Sequence, residues 1–285
     1  MTSLRQQMID AMQQRGFSQR THESYLYAVQ CLAKYYHKPP DQLGSEQIQA
    51  YFNYLVKERH LSPNSCKLYR NGIRFLYLKV LHWQAFELAI QTPKCPQKIP
   101  ELLTCEEVRK IVDSCLTYKH RIMLLTCYGC GLRVSELVAL KLHHIDGERQ
   151  LLRVEQGKGA KDRAVVISPA LLAQLRQYWQ KEHPKYWLFP NTNTPRVHLS
   201  ITTAQKVFKK AKDQVGIQKV GGIHSLRHAY ATHQLASGLP IYSLQQQLGH
   251  SDIHSTMHYI HWIALNHGES VPTTDLIGQL GVSDE

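Results

Sequence analysis

No run of apolar residues in this 285-residue chain approaches the roughly 20 needed to cross a bilayer. The opening MTSLRQQMIDAMQQRG also lacks the apolar core of a secretory signal. Both absences lead to the expectation of a cytoplasmic protein. There is no GxxxxGKS or GxxxxGKT phosphate loop, no HExxH pair, no internal repeat and no low-complexity tract, so the signatures of nucleotide hydrolysis, zinc hydrolysis and solenoid architecture are all missing. Cysteine is sparse: the seven residues are odd in number and scattered, which suits reduced thiols rather than a disulfide framework. Cys127 and Cys130 form a CxxC, but no second CxxC or histidine pair matches it. Within the apolar stretch IMLLTCYGCGL these two are expected to be core residues, not a zinc or redox site.

Acidic residues are also in deficit, 22 against 34 Lys+Arg, for a net charge of +12. The excess is not a tail: 13 basic residues face 6 acidic ones through position 100, and 21 face 16 beyond it. A chain this basic over both halves fits a polyanionic partner, although a generally basic surface would have the same count. A hydrophobic share of 43% with 20% charged residues is that of an ordinary globular protein, and the length favours two units, each with its own core.

Apolar and aromatic residues recur at three- and four-residue steps through THESYLYAVQCLAKYYH, SEQIQAYFNYLVKER and SPNSCKLYRNGIRFLYLKVL, which predicts a helical bundle with Thr21, Ser45 and Ser62 as capping candidates. Its aromatics Tyr69, Phe75 and Tyr77 are expected in the core, and Arg70, Arg74 and Lys79 on a solvated face able to grip phosphate. The proline-rich QTPKCPQKIPELLT reads as a linker, giving an N-terminal DNA-binding domain over 1–92, a linker over 93–100 and a catalytic domain with a C-terminal tail over 101–285. In the last, Thr104 and Glu107 make a capping box, two helices follow, and QLLRVEQ and RAVVIS form strands about the turn GKGAKD before the chain returns to helix. The fold class expected is mainly α with a small β-sheet: a helical bundle followed by a mixed α/β catalytic domain.

Four segments beyond residue 130 combine a special backbone residue with a cation or proton carrier: GLRVSEL, GKGAKDR, HSLRHAYATH and LGHSDIHSTMHYIH. Each alone is ordinary surface or turn chemistry. In this order, with Tyr259 nine residues after His250, they resemble the tyrosine recombinase, or phage integrase, family, including its Xer-type members. The resemblance implies Arg133 and Arg227 as phosphate-binding arginines, Lys158 as the hairpin lysine, His224 and His250 as the motif histidines and Tyr259 as the nucleophile. It further implies double-stranded DNA with a specific recombination site as partner, a homotetramer on that DNA, no cofactor and no metal. Integration, excision or resolution of DNA through a 3′-phosphotyrosine link is the expected activity; a type IB topoisomerase-like enzyme and an inactive DNA-binding protein are the alternatives.

The residues lead to the same chemistry without the resemblance. Breaking a phosphodiester with side chains alone needs a nucleophile, charge neutralisation and a proton for the leaving oxygen. Two guanidinium forks match non-bridging oxygens. Forming phenolate at pH 7 from a tyrosine of pKa near 10 costs about 4 kcal/mol unless a neighbour takes the proton. His254, His258 and His261 follow His250 at helix-like steps, but no carboxylate joins them, so a DNA-facing or surface position is expected. Gly249 is expected in a left-handed turn that aims His250 inward, with the next helix beginning near Ser255 and presenting Tyr259.

Overall fold

A computed structural model of the chain describes residues 3–84, 93, 100–155 and 162–267, with side chains as far as 262. The chain divides into two compact units, within 1–98 and 99–285. In the first, α1 (Ser3–Gln14), α2 (Gln19–Tyr36), α3 (Ser45–Lys57) and α4 (Pro63–Phe75, prolonged by a wider turn through Val80) enclose Met8, Met12, Leu32, Ile48, Phe52, Ile73 and Tyr77. Gly72 is what lets α4 lie against α2, because a Cβ there would stand 3.0 Å from the Tyr25 Cα. Phe75 and Tyr77 are buried as expected, Tyr69, Arg70 and Arg74 are partly covered, and Lys79 is exposed. Two of the three caps differ from expectation. Ser18, not Thr21, caps α2 by accepting from the Thr21 N–H, and Gly44 precedes α3, with the Gln47 side chain accepting from its N–H at 3.1 Å; Ser45 is the first helical residue. Both helices begin earlier than periodicity alone suggests, because their polar first turns carry no apolar signal. Ser62 caps α4 as expected.

The second unit opens with the capping box at Thr104 and Glu107, whose two reciprocal bonds measure 2.8 and 3.2 Å and start α5 (Cys105–Asp113). Helix α6 (Tyr118–Gly129) is followed by the short α7 (Val134–Val138) and an antiparallel sheet ordered β1 (Ile145–Asp146), β2 (Leu151–Val154), β3 (Arg163–Val166), in which Leu151 pairs with Val166 and Val154 with Arg163. The two expected strands are present, and β1 adds a third too short to leave a period in the sequence. Helices α8 (Pro169–Glu182), α9 (Ile201–Gln214), α10 (His224–Ala236), α11 (Ile241–Leu248) and α12 (His254–His267) complete the unit.

One core built from Val108, Ile111, Ile122, Leu132, Leu137, Leu152, Val165, Phe189, Phe208 and Leu226 supports α6, α7, the sheet and α10 together. Cys127 and Cys130 lie inside it; burial pushes both thiols up to about 12, so they are neutral packing groups. A smaller cluster of Tyr230, Ala231, Leu244, Leu248 and Tyr259 holds α12 to α10 and α11. Among the described residues no helix is long and apolar enough to cross a membrane.

Candidate active site

Arg133, Arg227, His224, His250 and Tyr259 gather where α7, α10, the α11–α12 turn and α12 converge. Lys158 lies outside the described residues. Helix α10 supplies most of the floor: it is buried along Leu226, Ala229, Tyr230 and Ala231, so Arg227 on the same turn is carried into the interior and only 1% exposed. A buried guanidinium demands partners. Arg227 donates to the Gly131 carbonyl and to the Leu248 carbonyl, each at 2.7 Å, and to His250 Nε2 at 3.1 Å. Burial, and next the Arg133 charge, bring its pKa down to about 10, still charged at neutral pH.

His250 reaches that guanidinium because α11 ends at Gly249 with φ 64° and ψ 45°, the left-handed residue that turns the chain inward. Arg227 can only donate, so His250 Nε2 holds a lone pair and Nδ1 carries the ring proton, which it gives to the buried Thr256 Oγ1 at 2.9 Å. Burial, reinforced by Arg227 and Arg133, lowers the His250 pKa to about 4, in accord with a neutral ring. The helix that starts one residue before the expected Ser255 then sends Thr256 and Tyr259 inward and His254, His258 and His261 outward to solvent.

Tyr259 is 3% exposed. Its ring lies parallel to that of His250 at 6.3 Å and edge-on to Trp262 at 5.0 Å. Its hydroxyl shares a hydrogen bond with His228 Nδ1 at 3.2 Å. Burial raises the phenol pKa above its usual value, with Arg227 and Arg133 offsetting part of the rise. His224 stands exposed at the mouth, its ring 4.6 Å from that of His228; the surrounding protein and the two guanidiniums lower its pKa.

Arg133 caps α7, and Glu136 three residues on returns to it: the Arg133 N–H donates to Oε2 at 2.8 Å and Nη1 to Oε1 at 2.7 Å. Arg133 Nη2 also donates to the Gly249 carbonyl at 3.3 Å, linking the first arginine to the histidine turn. Burial alone would raise the Glu136 carboxyl; Arg163 and Arg133 outweigh it and hold the pKa at about 2. Glu136, Arg163, His228 and Thr256 are the site residues sequence reasoning passed over. Glu136 had a signal, since a Glu three residues after a helix's first polar residue is a capping pattern, and His228 is the last residue of the HxLRH segment itself. Arg163 had none, because its partners Glu136 and Gln247 are distant in the chain, and Thr256 had none, because its bond to His250 forms only across the turn at Gly249.

A second cluster, His143, His144 and Glu155, brings three potential metal-ligand atoms within 4.8 Å of one another. The Lys141 N–H donates to His144 Nδ1, which leaves the ring proton on Nε2, facing Glu155 Oε2 at 3.3 Å, while Lys141 Nζ sits 2.9 Å from that oxygen. Lys141 pairs with Glu155, while His144 Nε2 is buried with no hydrogen-bond partner among the described residues, and no ligand role is assigned to the three.

Neutral, half-buried histidines make stability depend on pH in a definite direction. His228 is lowered to about 4, chiefly by burial and then by His224, as His250 is by burial and Arg227. Their folded values lie below the unfolded 6.5, so the unfolded chain takes up protons first on acidification. Thermal unfolding in the absence of DNA is expected to hold its midpoint above about pH 6.5 and lose it progressively towards pH 4, and His228→Gln should flatten that decline. A midpoint independent of pH over this window would contradict the assignment.

A helical unit followed by a mostly helical unit with a three-stranded sheet carries this convergence of arginines, histidines and a tyrosine. The chain belongs to the phage integrase family: the Phage integrase family profile matches residues 101–264, and that of the phage integrase N-terminal SAM-like domain matches 4–85. A Sinorhizobium fredii protein named as a candidate integrase/recombinase is 42% identical over 262 residues, covering 91% of this chain and 84% of its own. An Escherichia coli integrase/recombinase is 30% identical, covering 86% and 85%. Among solved structures, a lambda integrase (75–356) dimer bound to a COC′ core site superimposes with a TM-score of 0.74 at 20% identity, covering 89% of this chain and 96% of that one. The XerH recombinase in a post-cleavage complex with palindromic difH gives 0.71 at 19% identity, covering 92% and 82%. At such identities these two likenesses speak for the fold.

Proposed function

We propose that this chain is a site-specific recombinase that cuts and rejoins double-stranded DNA through Tyr259, acting in the cytoplasm as a tetramer assembled on its recombination site. The observation that carries the reading is the tyrosine hydroxyl held on His228 beside the Arg227 guanidinium, within one cluster that also contains Arg133, His224 and His250.

Chemically, the scissile phosphate would enter against Arg133 and Arg227, whose N–H groups neutralise the two non-bridging oxygens as charge grows in the five-coordinate transition state. The Tyr259 oxygen attacks phosphorus, the bond to the 5′ oxygen breaks, and a 3′-phosphotyrosine link with a free 5′ hydroxyl results. The tyrosine proton passes to a neighbouring imidazole, His228 or His224. Lys158, by the family likeness, protonates the leaving oxygen. His250 has both ring nitrogens occupied, by Arg227 and Thr256, so its task is to aim the guanidinium. The phosphodiester energy is retained in the tyrosyl bond, and attack by a 5′ hydroxyl from another strand completes exchange. The tail over 264–285 would, by the family likeness, dock on a neighbouring protomer, with a frayed terminus as the alternative; its residues beyond 267 lie outside the described residues.

A library of nicked duplexes incubated with the protein tests the activity. Covalent protein–DNA complexes are expected, and the DNA recovered from them should share a recurring sequence. Capture without sequence preference, accompanied by relaxation of supercoiled plasmid, would point instead to a relaxing topoisomerase. No covalent complex at all would reduce the chain to a DNA-binding protein.

A further inference from the structure

Arg163, a site residue with no role in the steps above, lies at the start of β3, and its side chain is only 9% exposed. It forks onto Glu136, Nη1 to Oε1 and Nη2 to Oε2, both at 2.8 Å, and its Nε donates to the Gln247 carbonyl at 2.8 Å. Gly249 makes room for it: a Cβ there would fall 2.8 Å from Arg163 Cδ and 3.1 Å from Nε.

The acceptor sites on Glu136 set how the neighbouring arginines divide. A carboxylate offers about four lone-pair positions. Arg133 fills one on each oxygen through Nη1 and its backbone N–H, and Arg163 fills the other on each. Arg227 stands 3.8 Å from Oε2, near enough to feel the charge but not hydrogen-bonded to it. Three arginines therefore share one buried carboxylate, and only two of them hold it. Remove Arg163, and two positions open on the carboxylate beside Arg227, the neighbouring arginine not yet hydrogen-bonded to it. The same loss frees the Gln247 carbonyl at the end of α11, the helix that sets the Gly249–His250 turn.

We propose that Arg163 is a positioning residue for strand cleavage: by saturating Glu136 and pinning the end of α11, it fixes Arg133 and the His250 turn and keeps Arg227 free for phosphate. The proposal rests on the recombinase reading above. A bidentate fork is needed because an ammonium fills one of the two positions on Glu136 and leaves the other open.

The groups facing Glu136 are Arg133 on its own element, Arg163 from β3, Arg227 and His224 from α10 and the Cys127 thiol from α6, which burial keeps neutral. Without Arg163, burial pushes the carboxyl up from its present value of about 2 towards the range of ordinary assays, and once protonated it no longer accepts both Arg133 bonds.

The experiment measures single-turnover formation of the covalent complex on a nicked duplex captured by the unaltered protein, together with DNA affinity, for Arg163→Gln and Arg163→Lys from about pH 5.5 to 8.5. Arg163→Gln is expected to cleave about 100-fold more slowly with affinity within about threefold, the ratio to the unaltered protein worsening towards acid. Arg163→Lys is expected to lose about tenfold, with its acid decline displaced to lower pH. If Arg163→Gln does not fold, the same two readouts on Arg163→Lys decide the matter. Wild-type rates, or a loss that is equal at every pH and tracks the folded fraction, would overturn the role for Arg163. Absence of a covalent complex in the unaltered protein would instead overturn the recombinase reading on which it stands.

Discussion

Arg227→Ala is expected to slow DNA cleavage by about 1000-fold while changing DNA affinity by no more than about threefold. The rate suffers because a guanidinium held at three fixed points faces charge that develops only in the transition state. Affinity is spared because binding is shared among many phosphate contacts over a basic chain. The substitution also strands the Gly131 and Leu248 carbonyls and His250 Nε2, so some stability is lost with it. Arg227→Lys separates the two effects: it keeps a positive charge but supplies no planar fork, and should remain at least about tenfold impaired. Cleavage rates on a nicked duplex, set beside binding curves at the same salt concentration, check both variants. Parallel loss of binding and cleavage in Arg227→Lys would count against the assigned role.

Much of this site is legible in the chain because its parts are punctuated locally. Gly249 announces a left-handed turn, and the turn is there at φ 64°. Thr104 with Glu107 announces a helix start, and both reciprocal bonds form. The inward set of α12 follows from period: Thr256 and Tyr259 are three apart, and the exposed histidines occupy other faces. Long-range pairing leaves no such trace. Arg163 and Glu136 are separated by 27 positions, and Arg163 and Gln247 by 84; nothing in the spacing says that a residue written inside the hairpin motif is the one that locks α7 to α11. His228 was in plain view, yet its bond to Tyr259 depends on α10 and α12 packing side by side. The two-residue β1 is too short to establish a period, and the early starts of α2 and α3 leave no apolar signal because their first residues are polar.

Removing the Tyr259 hydroxyl carries the largest expected effect, because it is the one phenol on α12 and the proposed attacking group. Tyr259→Phe keeps the ring in its cluster with Tyr230, Leu244 and Leu248 and keeps the edge contact with Trp262. What it loses is the proposed nucleophile and the hydroxyl's interactions with His228 and Arg227, about 1 kcal/mol in stability for each hydrogen bond. The variant should therefore fold, bind DNA as the unaltered protein does, and form no covalent complex. Its phenotype would differ from that of Arg227→Ala, in which the nucleophile persists and slow capture accumulates over long incubation.

Mass spectrometry of the covalent complex addresses the chemistry at its reacting atom. The unaltered protein, trapped on a nicked duplex and digested with protease and nuclease, should yield one peptide bearing a nucleotide remnant, linked through a phosphate to Tyr259, and Tyr259→Phe should yield none. An adduct on another residue, or an equal yield of adduct from Tyr259→Phe, would contradict the account.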